Sequence, residues 1–385
     1  MKKILFISTR FPYPIFSGDK SRSFDILNFL SKKNKVHLVC LEKENEKYKK
    51  NLSFCSNIKT FELNFLSRLI KVIFSILKLE PLQNGFYLSN EMKNYIDSVA
   101  DQYDTIICHL LRSSQYLPDN YKGKKVLEMS DLQSLAYHQL IKQLSVLNPI
   151  KYIYILEKFL VERYEKKIFK KFHNIVFVSN KDAKEANKKV SGKKTYVVEM
   201  AKKFDSKIYN YKKSNYKIIF IGNIKFIPNK IACNDFAKNV LGLINLKYPK
   251  ISFHIIGNIG YLHKIFLKKY KNVIVHGKIK NLKNVMKNSI CGLCNVKVST
   301  GFQSKILTYM SYSMPTVLSY SSYVNTEFKK NKDVLVFKNN EQLKEKIFIL
   351  INNKKISEGL SNNSEKIIKK KYNRDKVLLK YDKII

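Results

Sequence analysis

The chain has 385 residues, 45% of them hydrophobic, and a formal charge of +42 from 72 Lys and Arg against 30 Asp and Glu. That length exceeds what a single core usually supports, so two domains are expected. Six of the cations are Arg and they are scattered, which argues against a sequence-specific nucleic-acid reader; the excess charge still favours anions such as nucleotide diphosphates and anionic membrane surfaces.

In chain order, the apolar run Ile4–Ile7 is shorter than the signal-peptide core of about 7–15 residues and reads as a first strand. Further β-rich runs follow at Val36–Leu41, Thr105–Cys108, Val126–Met129, Ile175–Ser179 and Tyr196–Val198. A second set comprises Lys217–Gly222, Ile251–Gly257, Val273–His276, Ile290–Cys294, Thr316–Ser319 and Val334–Phe337. Continuous apolar strands separated by helical stretches imply parallel sheets buried on both faces. The expected architecture is α/β: two Rossmann-like, doubly wound parallel-sheet domains facing a cleft. The polar stretch Lys202–Asn215 reads as the linker, which gives domains 1–205 and 206–385, with the closing basic helical segment 356–385 packing across the seam.

Two segments carry additional signals. Pro149 opens a long helical stretch to about Phe172. Residues 65–79 place Arg68, Lys71 and Lys78 among large apolar side chains, a pattern that fits either an interfacial membrane helix with its basic residues at the polar edge, or a domain helix with snorkelling cations. No run of about 18 apolar residues occurs, so no spanning helix is expected and the location is read as cytoplasmic, at most at the inner membrane face. Cys291-Gly-Leu-Cys294 has redox or half-zinc spacing, but no second Cys or His pair accompanies it; buried core thiols are expected, and no metal.

The stretch Ser299–Leu318 joins a small-residue turn, a helix and a strand. Gly301 permits close backbone approach, the following helix offers free N–H groups, and Lys305 adds positive charge one turn in, which together suit a phosphate ester. Phe302 and Gln303 share this turn. Gly222 and Asn223, after another strand, offer donors, with charge from Lys225 or Lys230; Gly257 marks a further turn at the same sheet edge. In the first half, Gly18 and Asp19 sit at the tip of a long turn. Asp19 either caps the next helix or meets substrate, and Lys20 and Arg22 are expected to face the other domain's phosphate site. His109 follows a strand, where catalytic side chains collect, or else serves a structural hydrogen bond; Asp131 holds the analogous place one strand on, as a substrate contact or a helix cap. Walker, nucleophile-elbow, zinc-protease and dinucleotide-loop signatures are absent from the sequence.

With Gly18-Asp-Lys-Ser-Arg, Phe220-Ile-Gly-Asn, Pro228-Asn229 and Gly301-Phe-Gln-Ser-Lys-Ile-Leu-Thr-Tyr-Met in order, the chain resembles the retaining GT-B glycosyltransferases of the glycosyl-transferase group 1 family over its whole length. Arg10-Phe-Pro-Tyr-Pro, Arg163-Tyr-Glu and Val178-Ser179 resemble more narrowly bacterial sugar transferases of exopolysaccharide and surface-glycan clusters. The resemblance implies a nucleotide-sugar donor on the second domain, a glycan or lipid-linked acceptor on the first, and no cofactor or metal. It also implies transfer with retention, the leaving diphosphate taking the acceptor's proton while Lys305, the turn amides and the helix N-terminus stabilise its charge. Where the family commonly has Glu-x7-Glu, this chain has Thr300 and Thr308; Asn223 replaces a frequent Arg, and Ser313 a Gly. Lys305 and His109 are the expected catalytic residues. Gly18, Gly222, Asn223, Lys230, Gly257, Thr300, Gly301, Phe302, Gln303 and Thr308 are expected on the donor side, and Asp19, Lys20 and Asp131 on the acceptor side. The missing carboxylates keep a catalytically impaired sugar- or nucleotide-binding relative open as an alternative.

Overall fold

The computed structural model describes residues 1–385 except 16, 43–45, 143, 190–193, 214–215, 280 and 298–300. The chain divides into two compact units, one of Met1–Glu199 together with Leu378–Ile385, the other of Met200–Val377. The sequence reading put the division near residue 205; the backbone N–H groups of Asp205 and Ile208 donate to the carbonyls of Ser311 and Tyr312, which places this stretch in the second unit.

The first unit is built on strands β1 (Lys3–Ser8), β2 (Lys35–Cys40), β3 (Asn57–Thr60), β4 (Thr105–His109), β5 (Lys124–Ser130), β6 (Asn174–Phe177) and β7 (Lys194–Val197), in the spatial order β3-β2-β1-β4-β5-β6-β7. The second holds β8 (Lys217–Ile221), β9 (Ser252–Ile256), β10 (Val273–Gly277), β11 (Ser289–Cys294), β12 (Thr316–Ser319) and β13 (Leu335–Phe337), ordered β10-β9-β8-β11-β12-β13. Every strand pairing within these sheets is parallel. Both units are therefore the parallel-sheet α/β domains expected from the sequence. β3 escaped the sequence reading because it lies at the sheet edge, and its Asn57 and Lys59 are exposed.

Both strand orders reverse direction once, between β1 and β4 in the first sheet and between β8 and β11 in the second. At such a reversal the connections leave to opposite sides and a crevice opens at the carboxyl ends of the strands. Buried side chains such as Leu5, Ile7, Ile106 and Leu127 fix the first core, and Ile218, Phe220, Phe253 and Leu293 the second. Cys291 and Cys294 lie inside β11, buried and unpaired.

Each unit has one internal tie of particular consequence. In the first, Arg22 from the Gly18–Leu30 helix donates to Glu128 Oε1 on β5 at 2.7 Å and to the carbonyl of Val198 at 2.9 Å. The Tyr381 hydroxyl donates to the other Glu128 oxygen, and Asn174 Nδ2 donates to the Ile384 carbonyl at 2.7 Å, so the last residues of the chain are held on this unit. Arg22 is therefore spent in the core, correcting the expectation that it faces a ligand. In the second unit, Gly257 has φ of +138°, and a Cβ there would stand 1.8 Å from the Gly222 carbonyl oxygen; only glycine lets the β8 and β9 ends approach this closely.

Glu128→Ala leaves Arg22 buried without its counter-charge and should lower the first unit's unfolding free energy by about 3–5 kcal/mol, seen in denaturant titration. Gly257→Ala should destabilise the second unit by about 1–3 kcal/mol or more, with its amides exchanging faster in hydrogen-exchange measurements and those of the first unit unchanged.

Candidate functional site

The second unit's site grows from the ends of β8 and β11. β8 delivers Gly222, whose N–H donates to the Ile256 carbonyl at 3.0 Å, and Ile224 N donates to the Asn258 carbonyl at 2.7 Å, so the two strand ends are locked together. The Ile227–Asn239 helix follows with Pro228 in its first turn, which supplies the fixed φ a helix start favours. It positions buried Asn229, whose Nδ2 donates to the Asn223 carbonyl at 2.9 Å. Beyond β11, Gly301 takes φ of +71° and the Ser304–Ser311 helix begins.

Lys305 is the second residue of that helix, in its first turn rather than a turn in as expected. It is 7% exposed. Its ammonium donates to Asn229 Oδ1 at 2.6 Å and stands 4.1 Å from the centroid of Phe220. A Cβ on Gly222 would lie 3.0 Å from Asn229 Nδ2 and 3.4 Å from Lys305 Nζ, so the amide, the ammonium and the glycine backbone converge on one point. Among the described residues no carboxylate pairs with Lys305. Burial lowers its pKa, partly opposed by the nearby Cys294 and Cys233 thiols. A buried ammonium with one neutral acceptor is short of negative charge, and a ligand anion would supply it.

One helical turn after Lys305, buried Tyr309 anchors the arrangement. Its hydroxyl donates to the Leu293 carbonyl at 3.0 Å and accepts from Ile221 N at 2.8 Å, tying the helix to both strands of the reversal. Gly292 makes room, since a Cβ there would sit 2.1 Å from the tyrosine ring. Neither Tyr309 nor Asn229 was assigned a role from sequence. Asn229 was visible only in the Pro228-Asn229 pair, and Tyr309 only as an apolar helical position.

The other donor-side candidates are dispersed. Asn223 is exposed, its Oδ1 accepting from Lys225 N at 3.3 Å, and Lys230 is exposed one turn into its helix. Gln303 is the residue preceding the Ser304–Ser311 helix and makes no side-chain cap. Phe302 packs against Phe328 and Tyr372, with ring centroids 6.1 and 5.8 Å away. The Thr308 hydroxyl donates to the Ser304 carbonyl of its own helix at 3.3 Å. Thr300 lies outside the described residues.

The first unit gathers a second polar group where β1 and β4 part. Gly18 is the first residue of its helix; Asp19 follows and pairs with Arg10 at 3.1 Å instead of taking the N-cap position, which is Ser17. Burial pushes the Asp19 carboxyl up, but Arg10 and Arg112 outweigh it and hold the group below its ordinary range. Lys20 is bound by Glu42 at 2.9 Å. His109 closes β4, 2% exposed, stacked on Phe6 with centroids 5.8 Å apart, and among the described residues neither ring nitrogen has a hydrogen-bond partner. Burial lowers its pKa to about 4, leaving a neutral imidazole. Leu110, next in the chain, has φ of +70° and ψ of 151°, a strained backbone for a branched residue. At the end of β5, Ser130 has φ of +62°. Asp131 Oδ1 is buried without a hydrogen-bond partner among the described residues, and burial, with Asp182 nearby, raises its pKa to about 8. Asp131 caps no helix: the next one begins at Gln133 after Leu132, and the Ser134 N–H is taken by Glu165.

Around this group stand three of the six arginines. Arg112 donates to Thr9 Oγ1 at 2.6 Å and lies 4.5 Å from the Tyr87 ring centroid. Arg10 approaches the Tyr87 hydroxyl at 3.4 Å, and Arg68 stacks at 6.0 Å. Among the described residues Arg112 has no carboxylate partner within ion-pair distance. Tyr87 and Arg112 went unassigned in the sequence because nothing in their spacing shows that separate loops bring them together.

Among the described residues, no group of three or more His, Cys, Asp or Glu could hold a metal ion, and no helix is long and apolar enough to cross a membrane. Residues 215–353, which contain the whole second-unit site, match the family model described as glycosyl transferases group 1. No curated protein sequence matches significantly. Among solved structures, the chain is similar to Anabaena Alr3699/HepE in complex with UDP and glucose, at TM-score 0.71 and 11% identity over 100% of this chain and 99% of that one. It is also similar to sucrose-phosphate synthase from Thermosynechococcus elongatus, at TM-score 0.70 and 12% identity over 100% and 98%. A glycosyltransferase from Rickettsia africae gives TM-score 0.66 and 13% identity over 100% and 97%. At these identities the likeness is one of fold, and the family match, residues 215–353, lies within the unit that carries Lys305.

Proposed function

We propose that the protein is a glycosyltransferase that takes a sugar from a nucleotide-sugar donor held by the second unit and passes it, with retention, to a glycan or lipid-linked acceptor held by the first. The observation that carries this reading is the convergence of Lys305, Asn229 and Gly222 at the β8–β11 reversal, inside the segment that matches the glycosyl transferases group 1 model. The donor diphosphate meets the Lys305 ammonium, the Gly222 and Gly301 backbone and the first turn of the Ser304–Ser311 helix, and these groups stabilise the charge that grows as the sugar leaves. The leaving diphosphate takes the acceptor's proton on the same face, so no carboxylate base is required.

On the acceptor side, the reading assigns an anionic group, such as the phosphate of a lipid-linked sugar, to Arg112 and Arg10, whose guanidinium geometry suits phosphate oxygens. Asp19 aligns Arg10, and Asp131 and the neutral His109 form the polar floor beside it. The setting is polysaccharide or surface-glycan assembly in the cytoplasm at the inner membrane face, with residues 65–79 as the peripheral membrane contact. Metal is not required, because the lysine and the helix terminus do the work a divalent ion would otherwise do. A second reading, a sugar-nucleotide binder without turnover, draws on Thr308 standing where a carboxylate is usual and bonding within its own helix.

A panel of UDP-, GDP-, ADP- and dTDP-sugars should contain one that raises the melting temperature, because a ligand that binds the folded state stabilises it. With that donor, Lys305→Ala should lower turnover by about 10²–10³-fold, the scale of one lost anion-hole donor, while the protein stays folded by circular dichroism. A change under about threefold would remove Lys305 from the mechanism, and tight binding with no transfer to any acceptor would favour the second reading. Turnover should also be unchanged by excess chelator; loss of activity on chelation, restored by a divalent cation, would contradict the metal-independent mechanism.

A further inference from the structure

The Phe65–Leu77 helix is folded inside out. Phe65, Leu66, Ile73 and Leu77 are exposed, Leu77 at 74%, whereas the polar residues of the same helix turn toward the protein. Arg68 lies 5.0 Å from the Phe86 ring centroid, Lys71 Nζ donates to the Leu88 carbonyl at 3.0 Å, and Ser75 is buried with its hydroxyl on the Lys71 carbonyl. Of the three cations in this segment, Arg68 and Lys71 thus turn inward and Lys78 is exposed. The inward side is closely fitted, since a Cβ on Gly85 would stand 2.3 Å from both the Lys71 carbonyl oxygen and Ser75 Oγ.

A second element repeats the pattern. Along the Pro149–Ile168 helix as far as Phe159, and in the turn before it, Leu147, Tyr152, Ile153 and Phe159 are exposed, Leu147 at 90%, while Glu157 faces inward, 3% exposed. Glu157 accepts from Leu82 N at 2.6 Å and Gln83 N at 3.2 Å, at the start of the short Leu82–Phe86 helix on which the Phe65–Leu77 helix packs through Gly85. The two helices are thereby held to one small element by their inward polar faces, which leaves both apolar faces outward. Water-facing apolar surface of this extent marks a site of association.

We propose that these two helices together form a platform that seats the first unit in the interface of an anionic bilayer, the Val146–Phe159 segment being as much a part of it as residues 65–79. The proposal extends the membrane contact suggested above and does not depend on donor chemistry. At 13 residues the first helix is about 20 Å long, too short to span a hydrocarbon core of about 30 Å and suited to lying in its boundary. Lys78 and Lys142 are exposed beside the apolar faces, with Lys151 and Lys158 half-buried along the second helix, and the chain carries +42 overall. That charge attracts an anionic leaflet and opposes a symmetric pairing of two like-charged copies through the same face.

Co-sedimentation of the full chain with vesicles tests this. Vesicles of phosphatidylcholine with about one third phosphatidylglycerol should bind the protein at least tenfold more strongly than pure phosphatidylcholine, with binding weakened by salt. Ile70→Glu/Ile73→Glu and, separately, Leu147→Glu/Phe159→Glu should each reduce that binding at least tenfold, with melting temperature and nucleotide-sugar binding unchanged. The proposal is overturned if the wild type ignores anionic vesicles, if the Leu147/Phe159 pair binds them like wild type, or if the same substitutions instead dissociate a dimer in solution. Because donor binding is read separately, failure here leaves the transferase reading standing, and failure of donor binding leaves the platform standing.

Discussion

The hydrogen bond from the Lys305 ammonium to Asn229 is the constraint around which the second unit's site is organised. A buried lysine is unfavourable unless something compensates its charge, and the fold gives it an amide oxygen, an aromatic face and, among the described residues, no carboxylate. Tyr309 secures the helix carrying the lysine to β8 and β11, and the Gly222–Gly257 contact draws the β8 and β9 ends close enough to leave glycine backbone facing the ammonium. The result is a charge held ready for an anion, with the lysine rotamer and the approaching backbone both fixed in advance. Preorganisation of this kind is what electrostatic stabilisation of a leaving diphosphate needs.

The first unit solves a different problem. Its buried ion pair, Arg22 with Glu128 and Tyr381, is satisfied internally and serves to hold the chain's end on the sheet. Arg10 and Arg112 are instead arranged around Tyr87, where burial raises the phenol's pKa and the two arginines more than reverse it. Arg68 reaches the same ring from the Phe65–Leu77 helix, so the arginine group around Tyr87 and that helix share a residue. An acceptor with a charged head and an apolar anchor would match both.

Much of the fold was legible because buried parallel strands are continuous apolar runs, and twelve of the thirteen strands found among the described residues were read within a few residues of their ends. β3 was not, since an edge strand with exposed Asn57 and Lys59 carries no such run. The Lys305 turn was legible from glycine, helix start and lysine in sequence. Its partner Asn229 lies 76 residues away, and the proximity depends on strand order, which the sequence does not spell out. The direction of Arg68 and Lys71 was left open in the sequence because amphipathic spacing defines two faces without saying which one meets the protein. Arg22 was misread for a related reason: its acceptors, Glu128 and the Val198 carbonyl, come from distant strands.

The central claim is that the Gly222, Asn229 and Lys305 cluster is a diphosphate site. The most direct measurement is a titration of the isotopically labelled protein with UDP and GDP, following the Asn229 side-chain amide and the backbone amides of Gly222, Gly301 and Lys305 by NMR. The account predicts saturable shifts at these four positions with at least one of the nucleotides, and their loss in Lys305→Ala. Saturable binding that leaves all four unshifted, or no binding of either nucleotide, would contradict it.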